Sequence, residues 1–220
     1  MSRQSAIAAV SIVSALYLSA VLPHPAAAGT ITDPANDFLS TFAGKKDPSL
    51  DVLSLSADFD GSTFHISATE NGDIASFTSG LFVIGFDRGA GATTANFANI
   101  GHPGVIFDSV ITLTSSGVTG GRDLVAGKAI TLPAGSANIA GNTFTIDVPL
   151  SVLPSEGFGP GQYAINLWPR DASVMPGTND PSQIADFAPD NSDLVVPEPA
   201  SVPILATALL GLAAVARRKS

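Results

Sequence analysis

Short runs in which apolar and polar residues alternate, with turn residues between them, constrain the fold of this chain most. Segment 53–59 places Leu, Leu, Ala and Phe on one face of an extended strand and Ser, Ser and Asp on the other. Asp60-Gly61, a pair that favours a tight hairpin turn, follows this segment. Segment 63–68 then alternates again, with Phe, Ile and Ala on its apolar face. The pattern predicts an antiparallel hairpin with one face buried.

Strand signals of this kind recur along most of the chain. Helical periodicity is scarce between residues 29 and 196, apart from a short turn predicted at 151–153. Segment 172–192 is rich in Pro, Asp, Asn and Gly and predicts a loop. Further strands are predicted at 81–86 (a buried central strand), 105–114, 136–140, 143–148 (a second hairpin with 136–140) and 162–168. The sequence therefore predicts an all-β fold, an antiparallel β-sandwich of jelly-roll or DOMON-like type.

Both ends of the chain differ in composition from this body. Residues 1–28 contain a basic Arg3, an apolar stretch at 6–22 and the small residues Ala26-Ala27-Ala28. These are the three regions of a secretory signal peptide cleaved after Ala28, and the alternative is an N-terminal anchor helix. We therefore expect export through the Sec machinery.

The C-terminal segment 196–220 joins a short polar motif, an uncharged apolar run and a basic end. A helix over the apolar run reaches about 22 Å, against about 30 Å for the hydrocarbon core of a bilayer, so it predicts a marginal transmembrane helix. The basic end should stay cytoplasmic. A plain membrane anchor and a buried core helix are the alternatives. The three parts are Pro197, Glu198 and Pro199; residues 202–216; and Arg217, Arg218 and Lys219.

This order of parts resembles a PEP-CTERM sorting signal. The resemblance implies that an exosortase, a membrane-embedded cysteine protease, recognises the Pro-Glu-Pro motif and removes the tail. It implies transient residence in the inner membrane of a Gram-negative envelope, followed by display at the cell surface or release outside the cell. The chain then divides into a signal peptide at 1–28, a β-sandwich domain at 29–195 and a sorting signal at 196–220.

Parts of the body are also similar to small exoproteins that carry this signal. The resemblance implies a non-enzymatic protein with a structural or adhesive role in an exopolysaccharide or biofilm matrix. The β-rich pattern is loosely similar to carbohydrate-binding sandwich modules of the DOMON and family 9 kind, so a carbohydrate-binding module, with or without Ca²⁺, is the alternative. The similar segments are 33–38, 50–53, 59–61, 85–89, 107–109, 166–170 and 186–191.

Charge limits the partners of the body. Once the ends are set aside, residues 29–196 carry 6 basic and 18 acidic side chains, a net charge of −12. Binding to nucleic acid is disfavoured, because no basic patch exists to neutralise phosphates. The chain has no cysteine, which excludes thiol catalysis and thiolate metal ligands. The acidic body attracts cations, although simple solubility also explains its charge.

Two groups of aspartates lie near the two ends of the body. Terminal strands of a sandwich are often neighbours, so the groups could share one Ca²⁺ site built from oxygen ligands. The alternative is that these side chains cap turns by accepting hydrogen bonds from local backbone amides. The predicted ligands are Asp33, Asp37, Asp51, Asp186 and Asp190; Asp47, Asp180 and Asp193 belong to the same two groups. No other cofactor is predicted.

Few other residues suggest chemistry. Trp168, the only tryptophan, is a candidate sugar-binding platform, and core packing is the alternative. His65 is predicted to face solvent on a strand, and no metalloprotease motif or nucleophile elbow is present. Arg88 and Arg170 each adjoin an aspartate and are predicted to form structural ion pairs. A pair of carboxylates acting in glycoside hydrolysis remains open, and no catalytic residue is predicted.

Overall fold

The computed structural model describes residues 28–117 and 119–197, which form thirteen strands and seven short 3-10 turns. No α-helix occurs within these ranges. The strands are β1 Gly29–Thr32, β2 Val52–Phe59, β3 Thr63–Glu70, β4 Gly80–Asp87, β5 Ala95–Phe97, β6 His102–Phe107, β7 Ser109–Thr114, β8 Thr119–Asp123, β9 Lys128–Ala129, β10 Ala137–Ala140, β11 Thr143–Pro149, β12 Ala164–Asp171 and β13 Leu194–Val195. The 3-10 turns are Pro48–Leu50, Ile74–Ser76, Gly91–Thr93, Ala98–Ile100, Leu150–Val152, Pro160–Gln162 and Pro181–Gln183.

The strands form two large antiparallel sheets and one small hairpin. The first sheet has the order β1-β2-β3-β11-β10, and the second has the order β13-β12-β4-β7-β8-β9. Strands β5 and β6 pair only with each other. The predicted hairpins appear as β2–β3 and β10–β11. The all-β, antiparallel prediction is therefore confirmed for the described part of the chain.

The two large sheets pack face to face through the apolar faces that the alternation predicted. Phe64 of β3 contacts Phe86 of β4, with ring centroids 5.7 Å apart, and Phe82 of β4 lies 5.5 Å from Phe144 of β11. Tyr163, just before β12, stacks on Phe64 at 5.3 Å. All five rings are fully buried, so burial of apolar surface between the sheets drives the packing.

Three predicted details of the strands are wrong. The pairing of β2 with β3 shifts between Val52 and Ser54, so Val52 rather than Leu53 faces the core. The single strand predicted over 105–114 is two strands, because the chain leaves β6 at Asp108 and joins the second sheet as β7. The strand predicted at 162–168 begins two residues later and continues to Asp171.

A smaller apolar layer covers the outward face of the second sheet. The β5–β6 hairpin places Phe97 and Phe107 against Trp168, with centroid distances of 5.2 and 4.9 Å, and Phe187 packs on Phe97 at 5.0 Å. Gly85 of β4 lies beneath the Trp168 ring, where a Cβ atom would come within 2.5 Å of ring carbons. Glycine is therefore required at this position for the indole to pack this close to the sheet.

Gly85→Ala is expected to destabilise the protein by about 1–3 kcal/mol, because the added methyl must displace the Trp168 ring. Gly120→Ala, in the same sheet, is a matched control, because a Cβ there would meet only the Thr112 hydroxyl at 3.3 Å. Urea denaturation of both variants checks the prediction. Equal stability of Gly85→Ala and Gly120→Ala would contradict it.

The predicted signal peptide and the sorting signal with its transmembrane helix lie outside the described residues, except for Ala28 and residues 196–197. Within the described ranges, no helix has the length and apolar character needed to cross a membrane. Val196, placed by the sequence at the start of the tail, is buried in the core, and its backbone N–H donates to the Tyr163 carbonyl at 2.8 Å. The folded body therefore includes Val196.

Candidate metal centre

Two loops converge at the end of the structure where the first and last strands lie. One loop, residues 33–51, joins β1 to β2, and the other, residues 172–193, joins β12 to β13. The Leu39 amide donates to the Ala185 carbonyl at 2.8 Å, and the Ala43 amide donates to the Ser182 carbonyl at 2.9 Å. These backbone hydrogen bonds hold the two loops together.

The convergence gathers all five aspartates predicted as ligands into one cluster, here called the Asp cluster. Single carboxylate oxygens of Asp33, Asp37 and Asp190 lie within 4.8 Å of one another, and those of Asp37, Asp51 and Asp186 form a second such group. Asp37 belongs to both groups. Asp51 and Asp186 are buried, whereas Asp190 is exposed, so the cluster runs from the protein interior to its surface.

Hydrogen bonds fix the two innermost carboxylates. Asp51 accepts the backbone N–H of Asn36 at 2.9 Å and the Asn71 side-chain amide at 2.8 Å. Asn36 has a φ of 67°, a left-handed conformation that asparagine tolerates better than most residues. Asp186 accepts the amides of Val52 at 2.9 Å and Phe187 at 2.8 Å. Both carboxylates are therefore positioned before any ligand binds.

Glu70 is a sixth acidic residue at this place, and the sequence analysis missed it. It is the last residue of β3, directly opposite Val52, and its side chain is 0% exposed. Neither carboxylate oxygen accepts a hydrogen bond from any described residue. Burial raises its pKa well above the ordinary value, and Asp186, Asp51 and Asp33 raise it further. The alternation did contain a signal, since Glu70 continues the inward-facing series of Phe64, Ile66 and Ala68.

No described cation neutralises this cluster. The nearby Lys45 pairs with Asp47 at 2.7 Å, and the Lys46 ammonium lies over the Phe38 ring. Burial, with the neighbouring carboxylates, raises the pKa of Asp33 to about 7 and that of Asp186 to about 8. One oxygen of Asp33 and one of Asp37 are buried without a hydrogen-bond donor among the described residues. The cluster thus offers several free oxygen ligands, and its carboxyl groups can all ionise near neutral pH only if a cation compensates their charge.

The capping alternative holds for other aspartates of the two groups. Asp47 accepts the amide of Ser49 at 3.3 Å, and Asp180 accepts that of Ser182 at 2.8 Å, so each caps a 3-10 turn. Asp193 accepts the Ile106 amide at 3.1 Å and thereby ties the loop to β6. Asp47 and Asp180 therefore have the local capping role, whereas Asp193 makes a long-range contact, and none of the three belongs to the Asp cluster.

Without metal, the free energy of unfolding should fall as the pH rises from about 5 to about 9. Asp33 and Asp186 have folded-state pKa values of about 7 and about 8, above the ordinary 3.8, so the folded state holds their protons more tightly. This stabilisation is complete below the unfolded pKa and is lost as the pH rises through the folded pKa. Denaturation in EDTA at several pH values measures it. A metal-free stability that increases toward pH 9 would contradict the prediction.

The other predicted site residues lie elsewhere. His65 is on the outward face of the first sheet, where Nδ1 contacts Asp147 Oδ1 at 2.8 Å and Nε2 contacts Asp60 Oδ2 at 3.2 Å. The hydrogen bond with Asp147 is the largest cause of a raised His65 pKa, and Asp60 adds to it. Trp168 is 2% exposed, which counts against an open sugar-binding platform and agrees with the packing alternative.

Of the two arginines predicted to form ion pairs, Arg88 does so and Arg170 does not. The Arg88 guanidinium is buried, and its partner is not the adjacent Asp87 but Asp108, which accepts from Nε at 2.6 Å. Nη2 of Arg88 also lies 3.2 Å from Asp123. Arg170 forms no ion pair with the described carboxylates and instead donates to the Gln183 side-chain oxygen at 2.6 Å.

Comparisons with known proteins found no relative of this chain. No family model matches this chain, and no curated protein or solved structure is significantly similar to it. Function must therefore be inferred from the residues and their geometry.

Proposed function

We propose that this chain is an exported, non-enzymatic β-sandwich protein whose Asp cluster binds Ca²⁺. Unpaired oxygens carry the metal proposal, because both oxygens of Glu70 and one each of Asp33 and Asp37 are buried without a donor among the described residues. An acidic cluster alone is common, but buried carboxyls of this kind must either stay protonated or ionise beside a cation.

The donor set favours Ca²⁺ over other metals. The clustered side chains are carboxylates, and neither His65 nor His102 belongs to the cluster. Hard oxygen ligands suit Ca²⁺, Mg²⁺ or Mn²⁺ rather than Zn²⁺ or Cu²⁺. Ca²⁺ takes six to eight oxygens in a flexible geometry, which suits loop-borne ligands from two separate segments.

The bound ion would link the two ends of the folded body. Asp33, Asp37 and Asp51 come from the loop after the first strand, whereas Asp186 and Asp190 come from the loop before the last strand. Ca²⁺ binding therefore stabilises contacts between residues far apart in sequence. Such a link suits a secreted domain without disulfides.

Isothermal titration of the full chain with CaCl₂ tests this function. Asp37→Asn should weaken Ca²⁺ binding by at least about tenfold, since even indirect partners of a metal site contribute about 10–100-fold. Asp58→Asn is the matched control, because Asp58 lies in β2 outside the Asp cluster and loses the same charge. Absence of a binding heat, or equal affinities of the two variants, would refute the proposal.

The route and the setting are proposed from the sequence. The motif Pro197, Glu198 and Pro199 would be the exosortase recognition site, and removal of the tail would release the body from the inner membrane. We propose a structural or adhesive role in the extracellular matrix, with exopolysaccharide as a possible partner class. The jelly-roll or DOMON-like assignment belongs to this proposal and is supported by two antiparallel sheets that pack face to face.

The intact mass of the protein from the native envelope and medium tests the route. Loss of both ends, with a new C-terminus near Pro197, is the expected result. Retention of residues 217–220 in the membrane fraction would instead identify the tail as a permanent anchor. No observation on the described residues favours the alternative of a glycoside hydrolase, whose two carboxylates usually stand about 5–9.5 Å apart in an open cleft.

A further inference from the structure

A cavity of about 240 Å³ opens on the outward face of the second sheet, away from the sheet-to-sheet core. Val83 of β4 and Val110 of β7 form part of its floor. Phe107 and Trp168, from the layer that covers this face, form an aromatic wall. The cavity is separate from the Asp cluster and shares no residue with it.

Two arginines line this cavity. Arg122 of β8 lies opposite Val110 in the strand pairing, and Arg170 of β12 lies opposite Leu81. The described body has only six basic side chains against 18 acidic ones, so two guanidinium groups at one cavity are a local reversal of charge. A pocket with this charge selects against cations and attracts anions.

Neither arginine is neutralised by the part of the chain that the structure describes. Arg170 is 8% exposed; its Nη2 donates to the Gln183 side chain and to the Asp180 carbonyl, and its buried Nε has no acceptor. Arg122 is exposed and forms no ion pair within the described residues. Arg122 is therefore the guanidinium that is free to pair with an anion in the cavity, and the positive charge of Arg170 adds to the attraction.

We propose that this cavity binds a small organic acid composed of one ring and a carboxylate. The guanidinium fork matches a carboxylate in geometry and charge. The aromatic wall packs against a ring through apolar contact. The cavity is smaller than the roughly 300–1,000 Å³ of sites for drug-sized ligands, so it suits a single ring rather than a chain of rings. The ligand can be an aromatic acid or a sugar acid, because both carry the carboxylate that the arginines recognise.

Tryptophan fluorescence of the full chain provides the test, because Trp168 is the only tryptophan and lines the cavity. The probes are benzoate and glucuronate, each with a neutral counterpart, benzyl alcohol and glucose. We expect a saturable change in emission with at least one acid at millimolar concentrations or below, and none with its neutral counterpart. The same result should hold in Ca²⁺ and in EDTA, since this proposal does not depend on the metal site.

Arg122→Gln supplies the decisive variant, since Arg122 is exposed and its loss should leave folding intact. Its affinity for the bound acid should fall by roughly tenfold, the value of a hydrogen bond to a charged group. Lys128→Gln, on the neighbouring strand β9 and outside the cavity, removes the same charge and should leave the affinity unchanged.

Each outcome either tests the proposal or identifies which kind of acid binds. Binding of benzoate alone assigns an aromatic acid, and binding of glucuronate alone assigns a sugar acid; both support the proposal if Arg122→Gln weakens them. No response to either acid, equal binding of a neutral counterpart, or equal losses in Arg122→Gln and Lys128→Gln would overturn it.

Discussion

Calcium at one hundred times its dissociation constant is expected to raise the free energy of unfolding by about 2.7 kcal/mol, and EDTA should remove this gain. The physical reason is that the proposed Ca²⁺ site exists only in the folded state, because its ligands come from two loops, and those of one loop lie more than 130 residues from those of the other in sequence. The hydrogen bond between the Val52 amide and Asp186, 134 residues apart, marks that separation. Thermal and urea unfolding of the full chain with and without Ca²⁺ measure the difference.

Asp186→Asn distinguishes metal binding from a general effect of salt. The variant removes a buried negative charge and keeps a single carbonyl oxygen, whereas the Val52 and Phe187 amides donate to different oxygens of Asp186. One of these amides therefore loses its acceptor, and the variant should gain little stability from Ca²⁺. Asp58→Asn should keep the full response. If NaCl of equal ionic strength stabilises all three proteins as much as CaCl₂ does, Ca²⁺ acts only by screening charge.

Arg88→Met is expected to destabilise the protein by about 3–5 kcal/mol, because it leaves buried acids without their cation. Asp108, fully buried, accepts from the Arg88 side chain at 2.6 Å and from the Arg88 amide at 2.8 Å. The guanidinium also donates to the Pro154 carbonyl at 2.9 Å and so holds the 150–158 segment. Urea denaturation monitored by circular dichroism measures the loss.

Arg122→Met is the control, because this arginine is exposed and substitution there should change stability by less than about 0.5 kcal/mol. The double variant Arg88→Met with Asp108→Asn should recover part of the loss, because the unpaired charge is removed while an acceptor for the backbone amide remains. A cost below about 1 kcal/mol for Arg88→Met would show that the buried pair is not a stabilising link.

Local sequence patterns were sufficient to predict the hairpins and the buried face of each of their strands. The alternation in 53–68 depends on neighbouring residues only, and the pairing of β2 with β3 follows it except at the bulge near Val52. The division of 105–114 could not be predicted in this way. Asp108 interrupts the strand to meet Arg88, a partner 20 residues away that only the folded chain identifies.

The Asp cluster was predictable in part for a similar reason. Proximity of terminal strands in a sandwich is a general expectation, and it sufficed to group Asp33, Asp37 and Asp51 with Asp186 and Asp190. Glu70 was missed although its position in the β3 alternation placed a charged side chain on the core face. A glutamate in such a series indicates an unusual local environment, because charged residues are almost never fully buried unless paired.

The adjacency of the first and last strands has a mechanical consequence. A Cβ atom at Gly29 would lie 3.0 Å from the Val195 carbonyl, so the first and last strands of the described body lie side by side. Strand β13 pairs with β12 through only two residues, Ala164 and Ile165, and tension on the C-terminus would peel it away first. The next segment back along the chain carries Asp190 and Asp186. If Ca²⁺ binds there as proposed, it would hold Asp186 and Asp190 to the loop after β1, so that this contact would survive the loss of β13.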